Sequence, residues 1–185
     1  NYFFDIRKRN VNNKNKIRIL FLSNLRKEKG AFDVLEAIPE VMQIYNNVEF
    51  IFGGDFTNEE IKNELIKFIK TTPLLPIALT GPLYGKAKGD LLLSGDIFVF
   101  PPRESEGHPW AIVEAMAAGL PIISTDQGAI TESVKDGVNG FIVEKRNPHQ
   151  IAEKIKFLIE NPDVRKKKGE ESRRHDLEKY NEEKK

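Results

Sequence analysis

The chain of 185 residues contains no cysteine. Disulfide bridges and thiolate metal sites are therefore excluded. Histidine is scarce: three residues, at 108, 149 and 175, with no ligand-like spacing. An excess of either charge is also missing, since 29 basic residues face 28 acidic ones. Bulk electrostatics thus gives no support for nucleic-acid binding. No apolar run approaches the ~20 residues that a membrane-spanning helix needs. There is no internal repeat and no low-complexity segment. The chain opens on Asn1 rather than on methionine and is expected to be an excised piece of something longer, so a missing leader says little about location.

What is present is an alternation of two kinds of pattern. Short apolar runs suited to buried strands occur at Ile17 to Leu22, Val48 to Phe52, Ile77 to Thr80, Ile97 to Phe100, Pro121 to Ser124 and Phe141 to Val143. Between them, apolar residues recur at helical spacing. Val34, Leu35, Ile38, Val41, Met42 and Tyr45 form one stripe, with Pro39 inside it predicting a kink or a restart. Ile61, Leu65, Phe68 and Ile69 mark a second helix, and short helices are expected around Leu91 and near Thr131 to Val134. Asn147 and Pro148 read as the cap and first position of a helix carrying Ile151, Ala152, Ile155, Leu158 and Ile159. Strands alternating with helices imply an α/β domain with a doubly wound parallel sheet and helices on both faces. Ligands of such sheets bind beyond the carboxyl ends of the strands, which selects the loops after residues 22, 52, 80 and 100. The first strand is not followed by Gly-x-Gly-x-x-Gly, which argues against a dinucleotide oxidoreductase.

The loop after residue 100 carries the most chemistry. Glu106 and Glu114 bracket seven residues, Gly107 to Val113, with Pro101-Pro102 before them and Met116-Ala-Ala-Gly-Leu-Pro121 after. Pro109 is expected at the first position of a helix, where its missing N–H costs little. The free N–H groups of that first turn make an anion site. Glu114 falls inside an otherwise apolar helix, which calls for a polar partner. In the first loop, Ser23 to Gly30 includes Asn24, Arg26 and Lys29.

These segments resemble, in order, the carboxyl-terminal half of retaining GT-B-type glycosyltransferases of the large group 1 family (family four). The signature is a glutamate, seven residues, a glutamate, then Ala-Met-Ala-x-Gly-x-Pro, and Glu106 to Pro121 follows it without a gap. Gly128-Ala-Ile-Thr-Glu132, Asp136 to Val143 and the loop from Leu22 to Gly30 also fit, so the likeness runs from about Ile17 to Glu160. The resemblance implies one Rossmann-like half of a GT-B fold. It implies residues 1–15 as a linker from an absent amino-terminal acceptor domain, 16–165 as the nucleotide-sugar-binding domain, and 166–185 as a charged tail, read as helical. It implies a UDP-, GDP- or ADP-sugar as donor and transfer of a hexosyl group. Lys29 maps to the lysine that binds the diphosphate, Glu106 to the acid that contacts the donor sugar, Glu114 to the acid that holds the ribose hydroxyls, and Gly107 to Trp110 to the backbone near sugar and phosphates. Many relatives have an arginine where this chain has Asn24, with Arg26 two residues on. With no Asp-x-Asp pair in the chain, no metal and no cofactor are expected. A cytoplasmic location with peripheral contact at the membrane surface is implied in the same way.

Several positions admit a second reading. Gly53 and Gly54 serve either a strand-end turn or close approach of backbone to a donor. Tyr84 either lies by the base or packs peripherally. His108 caps the helix, contacts the sugar or simply sits in the loop. Trp110 is read first as core packing and second as a platform for a base. The run Arg165 to Lys168 is a solvated surface or a contact for anionic lipid, and the tail from Asp163 is a solvated helix, a partner-dependent surface or a frayed end. A different functional class, a non-catalytic Rossmann-like nucleotide-binding or regulatory module, remains as the alternative, kept open by Asn24.

Overall fold

The computed structural model describes residues 16–72, 75–107 and 109–179. The apolar runs pair as six parallel strands: β1 Ile17–Leu22, β2 Val48–Gly53, β3 Ile77–Gly81, β4 Ile97–Phe100, β5 Ile122–Ser124 and β6 Gly140–Ile142. Their spatial order is β3-β2-β1-β4-β5-β6. Register runs Ile17 against Val48 through Leu22 against Gly53, and Ile19 against Ile97 on the other side of β1. All four residues of β4 are buried, as a strand covered on both faces requires. Phe21 of β1 meets Phe52 and Phe100 at ring-centroid distances of 5.6 and 6.1 Å, filling the centre of the core. This is the Rossmann-like, doubly wound fold expected.

Seven helices are described: α1 Ala31–Met42, α2 Glu59–Thr71, α3 Gly85–Ser94, α4 Trp110–Ala117, α5 Ile130–Ser133, α6 Pro148–Glu160 and α7 Pro162–Lys179. Strand order and handedness decide their faces. The chain moves outward one way through α1 and α2, and the other way through α3, α4 and α5. Right-handed crossovers therefore put α3 and α4 on the face opposite α1. Helix α6 returns to pack on α1, and α7 packs on α4. Across the first of these contacts Glu40 accepts from Lys156 at 2.7 Å and lies 2.9 Å from His149 Nδ1, and both hold its carboxyl below the usual range.

Three local expectations change. Helix α1 runs through Pro39 without a restart. Pro39 lacks only the bond to a carbonyl one turn back, and Gln43 N–H still donates to Pro39 O at 3.1 Å. Pro109 stands one place before its predicted position, as the extended cap of α4 with ψ 107°. Its carbonyl takes the first bonds of the helix, from Ile112 and Val113. The stretch after Asp163 belongs to one helix, α7, that runs across the expected border at 165/166 and is neither frayed nor fully solvated over its described length. Its buried side is made of Lys168, Gly169, Ser172 and Asp176. Lys168 donates to Gly137 O and lies 4.4 Å from the Phe141 ring centre, and burial pushes its ammonium pKa down. Ser172 donates to Asn139 O at 3.1 Å. Arg165 also turns inward, donating to Leu158 O at 2.9 Å, so the basic run keeps only Lys166 and Lys167 fully outward. Among the described residues no helix is long and apolar enough to cross a membrane. The expected linker 1–15 and the last residues, 180–185, lie outside the described residues.

The two central loops are clasped together. Asp33, in the first turn of α1 and 1% exposed, accepts two parallel hydrogen bonds from Arg103 at 2.7 and 2.8 Å. The fork raises the Arg103 pKa, and the Arg103 N–H donates to Glu28 O at 2.8 Å. The loop after β4 is thereby fixed to the loop after β1 at two points.

Two outcomes follow for stability. Replacing Asp33 with Ala strands a half-buried guanidinium and is expected to cost about 3 kcal/mol in urea denaturation. The pair Asp33→Leu with Arg103→Met should recover most of that loss, because no charge is then left alone. At Gly169 a Cβ would lie 2.2 Å from the Gly119 carbonyl oxygen. In an open helix Gly→Ala gains about 1 kcal/mol, whereas here the clash should cost about 2 kcal/mol, lowering Tm by about 4–8 °C. A rise in Tm would show that α7 and α4 do not make this approach.

Candidate functional site

Where the strand order turns, between β1 and β4, the loops at the carboxyl ends diverge and leave a crevice. A cleft of about 300 Å³ opens there. Each wall comes from one loop. Leu22, Ser23, Asn24 and Lys29 follow β1, Gly53 to Asp55 follow β2, Pro82 to Tyr84 follow β3, and Glu106, Pro109, Trp110 and Ala111 follow β4. Lys88 reaches in from α3.

Lys29 and Glu106 meet across the switch point, Nζ to Oε1 at 2.5 Å. Both are half-buried, so water screens the pair less than it would a surface one. The backbone of Glu106 is held from behind. Its carbonyl accepts from Ala129 N–H at 3.0 Å, and Gly128, at φ 64°, passes so close that a Cβ there would lie 1.8 Å from that oxygen. The Gly128-Ala129 segment after β5 is thus the backing of the acid. The turn after β2 requires a glycine at 54: at φ 147° a Cβ would strike Ser23 O at 1.8 Å. Both Gly53 and Gly54 also lie in the cleft wall.

Helix α4 aims its amino end at the same space. Its first bonds come from Ile112 and Val113 to Pro109 O. Among the described residues nothing accepts from the N–H groups of Trp110 and Ala111, and both residues line the cleft. Trp110 is 74% exposed, which overturns its reading as a core residue. It stands at position N1, directly after the cap, where its side chain meets the cleft rather than the sheet. Tyr84, 79% exposed, caps α3 on the other rim, which overturns the packing reading for it as well.

Glu114 lies in the second turn of α4, one layer behind the wall. Its polar partner is Lys88, whose ammonium contacts Oε2. The two side chains are 33% and 28% exposed. The approach is that of an ion pair without hydrogen-bond geometry, so Oε2 is buried and accepts no hydrogen bond among the described residues.

Of the expected positions, the structure brings Asn24, Lys29, Gly53, Gly54, Tyr84, Glu106, Pro109 and Trp110 into the lining of one cleft. Arg26 does not reach it. Leu25 is buried against Phe56, and Arg26 turns outward to begin the bend that closes on Lys29. Gly107 is exposed beside the cleft, outside its lining. His108 lies outside the described residues. Lys88 and Asp55 were not singled out from the sequence. Lys88 sits one turn after Tyr84, on a helix with little apolar pattern. Asp55 directly follows the Gly53-Gly54 pair. Among the described residues no group of three or more His, Asp or Glu side chains is placed to hold a metal ion.

A family model described as glycosyl transferases group 1 matches residues 3–175. Spore coat protein SA of Bacillus subtilis is 32% identical over 161 residues, covering 84% of this chain and 43% of that protein. The phosphatidyl-myo-inositol mannosyltransferase of Mycobacterium leprae is 26% identical over 150 residues, 80% of this chain and 39% of that one. The chain thus spans about two fifths of the length of these curated relatives. Among solved structures, the C-terminal domain of a group 1 glycosyl transferase family protein (LpcC) from Francisella tularensis superposes with TM-score 0.82 at 25% identity, covering 96% of this chain and 94% of that one. Anabaena HepE, solved with UDP and glucose, gives TM-score 0.83 at 22% identity over 96% of this chain and 48% of its own, a likeness of fold. With nearly its whole length matched by the family model and the same domain seen in a solved member, the chain belongs to the group 1 glycosyl transferases.

Proposed function

We propose that this chain is the donor-binding half of a retaining glycosyltransferase, transferring a hexosyl group from a nucleotide-sugar to an acceptor held by a separate amino-terminal domain. The observation that carries the reading is the contact of Lys29 with Glu106 at the mouth of the β1/β4 crevice, beside the amino end of α4. Breaking the bond from the anomeric carbon to the diphosphate leaves an electron pair on a phosphate oxygen and positive character on the sugar. An ammonium and a helix amino terminus already fixed in place stabilise the first without reorganisation. A carboxylate fixed through its own backbone orients the sugar through its hydroxyls, which is the role given to Glu106. Glu114 takes the ribose. Asn24, in the cleft wall, can donate to a phosphate oxygen without adding charge.

In this reading no metal takes part: Lys29 and the dipole of α4 answer the charge that a divalent ion would otherwise meet. The setting is the cytoplasm, and the outward Lys166 and Lys167 offer a modest basic contact for a membrane surface. Support for nucleotide-sugar chemistry also comes from neighbours of the same fold solved with UDP and UDP-glucose.

Calorimetric titration with UDP, GDP, ADP and their sugar conjugates tests the donor reading. One base is expected to bind, and EDTA should leave its affinity unchanged. Lys29→Met should weaken the nucleoside diphosphate about tenfold to a hundredfold while leaving the bare nucleoside unaffected. Failure of every nucleotide to bind, with the fold intact by circular dichroism, would remove the reading. In the longer protein, the anomeric configuration of the product by proton NMR decides between retention and inversion.

A further inference from the structure

Trp110 is the only tryptophan of the chain. It lines the cleft with most of its surface open to solvent. A side chain of that size is ordinarily well covered on folding. We propose that the Trp110 indole is this domain's platform for the acceptor, and that the acceptor presents a pyranose ring that stacks on it. The proposal rests on the glycosyl-transfer reading above and adds to it the chemical class of the acceptor and a residue that binds it.

Depth in the cleft separates Trp110 from the groups given to the donor. The side chains of Glu106 and Lys29 are 14% and 26% exposed, against 74% for Trp110. A donor sugar oriented by Glu106 therefore lies below the rim on which Trp110 stands. The strand ends Leu22, Gly53 and Phe100, all buried, close the floor of the cleft. A second substrate thus reaches the anomeric carbon from the open rim. In the transfer the acceptor hydroxyl oxygen bonds to that carbon as the bond to the diphosphate breaks. The hydroxyl proton leaves with the phosphate oxygen that takes the electron pair.

The surroundings of the indole decide what it can take. Among the described residues the other exposed large apolar side chains are Ile44, Leu79, Tyr84, Val138, Phe157 and Leu177, and only Tyr84 lines the cleft. Trp110 is therefore not set in an apolar patch of the kind that receives an acyl chain or a protein surface. The cleft it borders carries the Lys29–Glu106 ion pair instead. A pyranose matches that mixture. One face of the ring is a plane of C–H groups that packs on a flat aromatic surface. Its edge carries hydroxyls that pair with a carboxylate, an ammonium or the indole N–H. In the same reading the ribose of the donor falls to Glu114, a turn farther along α4, and the base lies beyond it.

The lone indole N–H gives one proton–nitrogen NMR signal, a direct readout of the platform. Calorimetry first finds the UDP-, GDP- or ADP-sugar that binds. The chain saturated with it is then titrated with the methyl glycosides of glucose, galactose, mannose and N-acetylglucosamine. At least one glycoside is expected to move the indole signal saturably, its own ring C–H protons shifting upfield in the indole ring current. Trp110→Ala should bind that glycoside about tenfold more weakly and lose the upfield shift, and Trp110→Phe should keep part of both. An indole unmoved by all four glycosides overturns the platform, while the bound donor leaves the donor reading standing. So does glycoside affinity that survives intact in Trp110→Ala. Weaker binding in that variant, with no upfield shift in wild type, marks a structural tryptophan and overturns it too. Uridine, guanosine or adenosine moving the indole of the donor-free chain, with every glycoside silent, makes Trp110 a base platform and overturns the acceptor assignment. Absence of binding by every nucleotide-sugar overturns the donor reading and this assignment together.

Discussion

The fork of Arg103 on Asp33 is the contact on which the cleft depends. A carboxylate in the first turn of α1, almost wholly removed from water, is tolerable only when its charge and its lone pairs are both met. Arg103 meets both with two parallel bonds, and it sits three residues before Glu106. The acid at the switch point therefore belongs to a loop that cannot drift from the loop bearing Lys29. Gly128 and Ala129 hold the same acid from the far side. A site built this way has its charged groups in position before a ligand arrives, and electrostatic preorganisation of that kind is what makes an ammonium effective against developing negative charge.

At the cleft, two carboxylates are each paired with a lysine. Lys29 answers Glu106 and Lys88 answers Glu114, each pair half-buried. A half-buried carboxylate without such an answer would raise the free energy of the empty domain. The pairing removes that difficulty and has a further consequence. A nucleotide-sugar carries both what an ammonium prefers, phosphate oxygens, and what a carboxylate prefers, hydroxyl donors. In the proposed reading, its entry would exchange partners among these paired groups.

Much of this was legible in the sequence because it is written in patterns that burial enforces. A strand covered on both faces must be a short apolar run, and Ile97 to Phe100 is one. A helix that starts on Asn147-Pro148 announces itself through cap chemistry, and Asn147 does accept from Gln150 N–H at 3.0 Å. The glycine at 128 is visible because backbone geometry tolerates little else there. What escaped notice lacks such a pattern. Helix α7 buries a lysine, a glycine, a serine and an aspartate along one side, so apolar periodicity is silent about its docking. Lys88 stands in a short helix with two glycines and little amphipathic contrast, where one lysine among several carries no mark. Trp110 was misjudged because a tryptophan is usually buried, while its place at the very start of α4 turns it to the rim. Arg26 failed for a related reason: its neighbour Leu25 claims the core, and the chain cannot point both residues inward.

The spacing of the two glutamates has a physical meaning that the assembled site brings out. Glu106 is in a loop held at the mouth of the crevice. Four residues on, α4 begins, and Trp110 and Ala111 at its amino end line the cleft. Another four residues, about 6 Å along the helix axis, lead to Glu114. Read in this order, the segment presents a hydrogen-bond acceptor, then a partial positive charge, then a second acceptor. A nucleotide-sugar presents, in its own order, the hydroxyls of the sugar, the negative diphosphate and the hydroxyls of the ribose. The two sequences of charge and hydrogen-bonding character are complementary term by term. Seven intervening residues allow this because they are divided between a loop that can be pinned and a helix that cannot stretch. A longer loop portion would loosen Glu106 from Gly128 and Lys29. A longer helical portion would carry Glu114 past Lys88 and turn it, at 100° per residue, away from the face that α3 shares with α4.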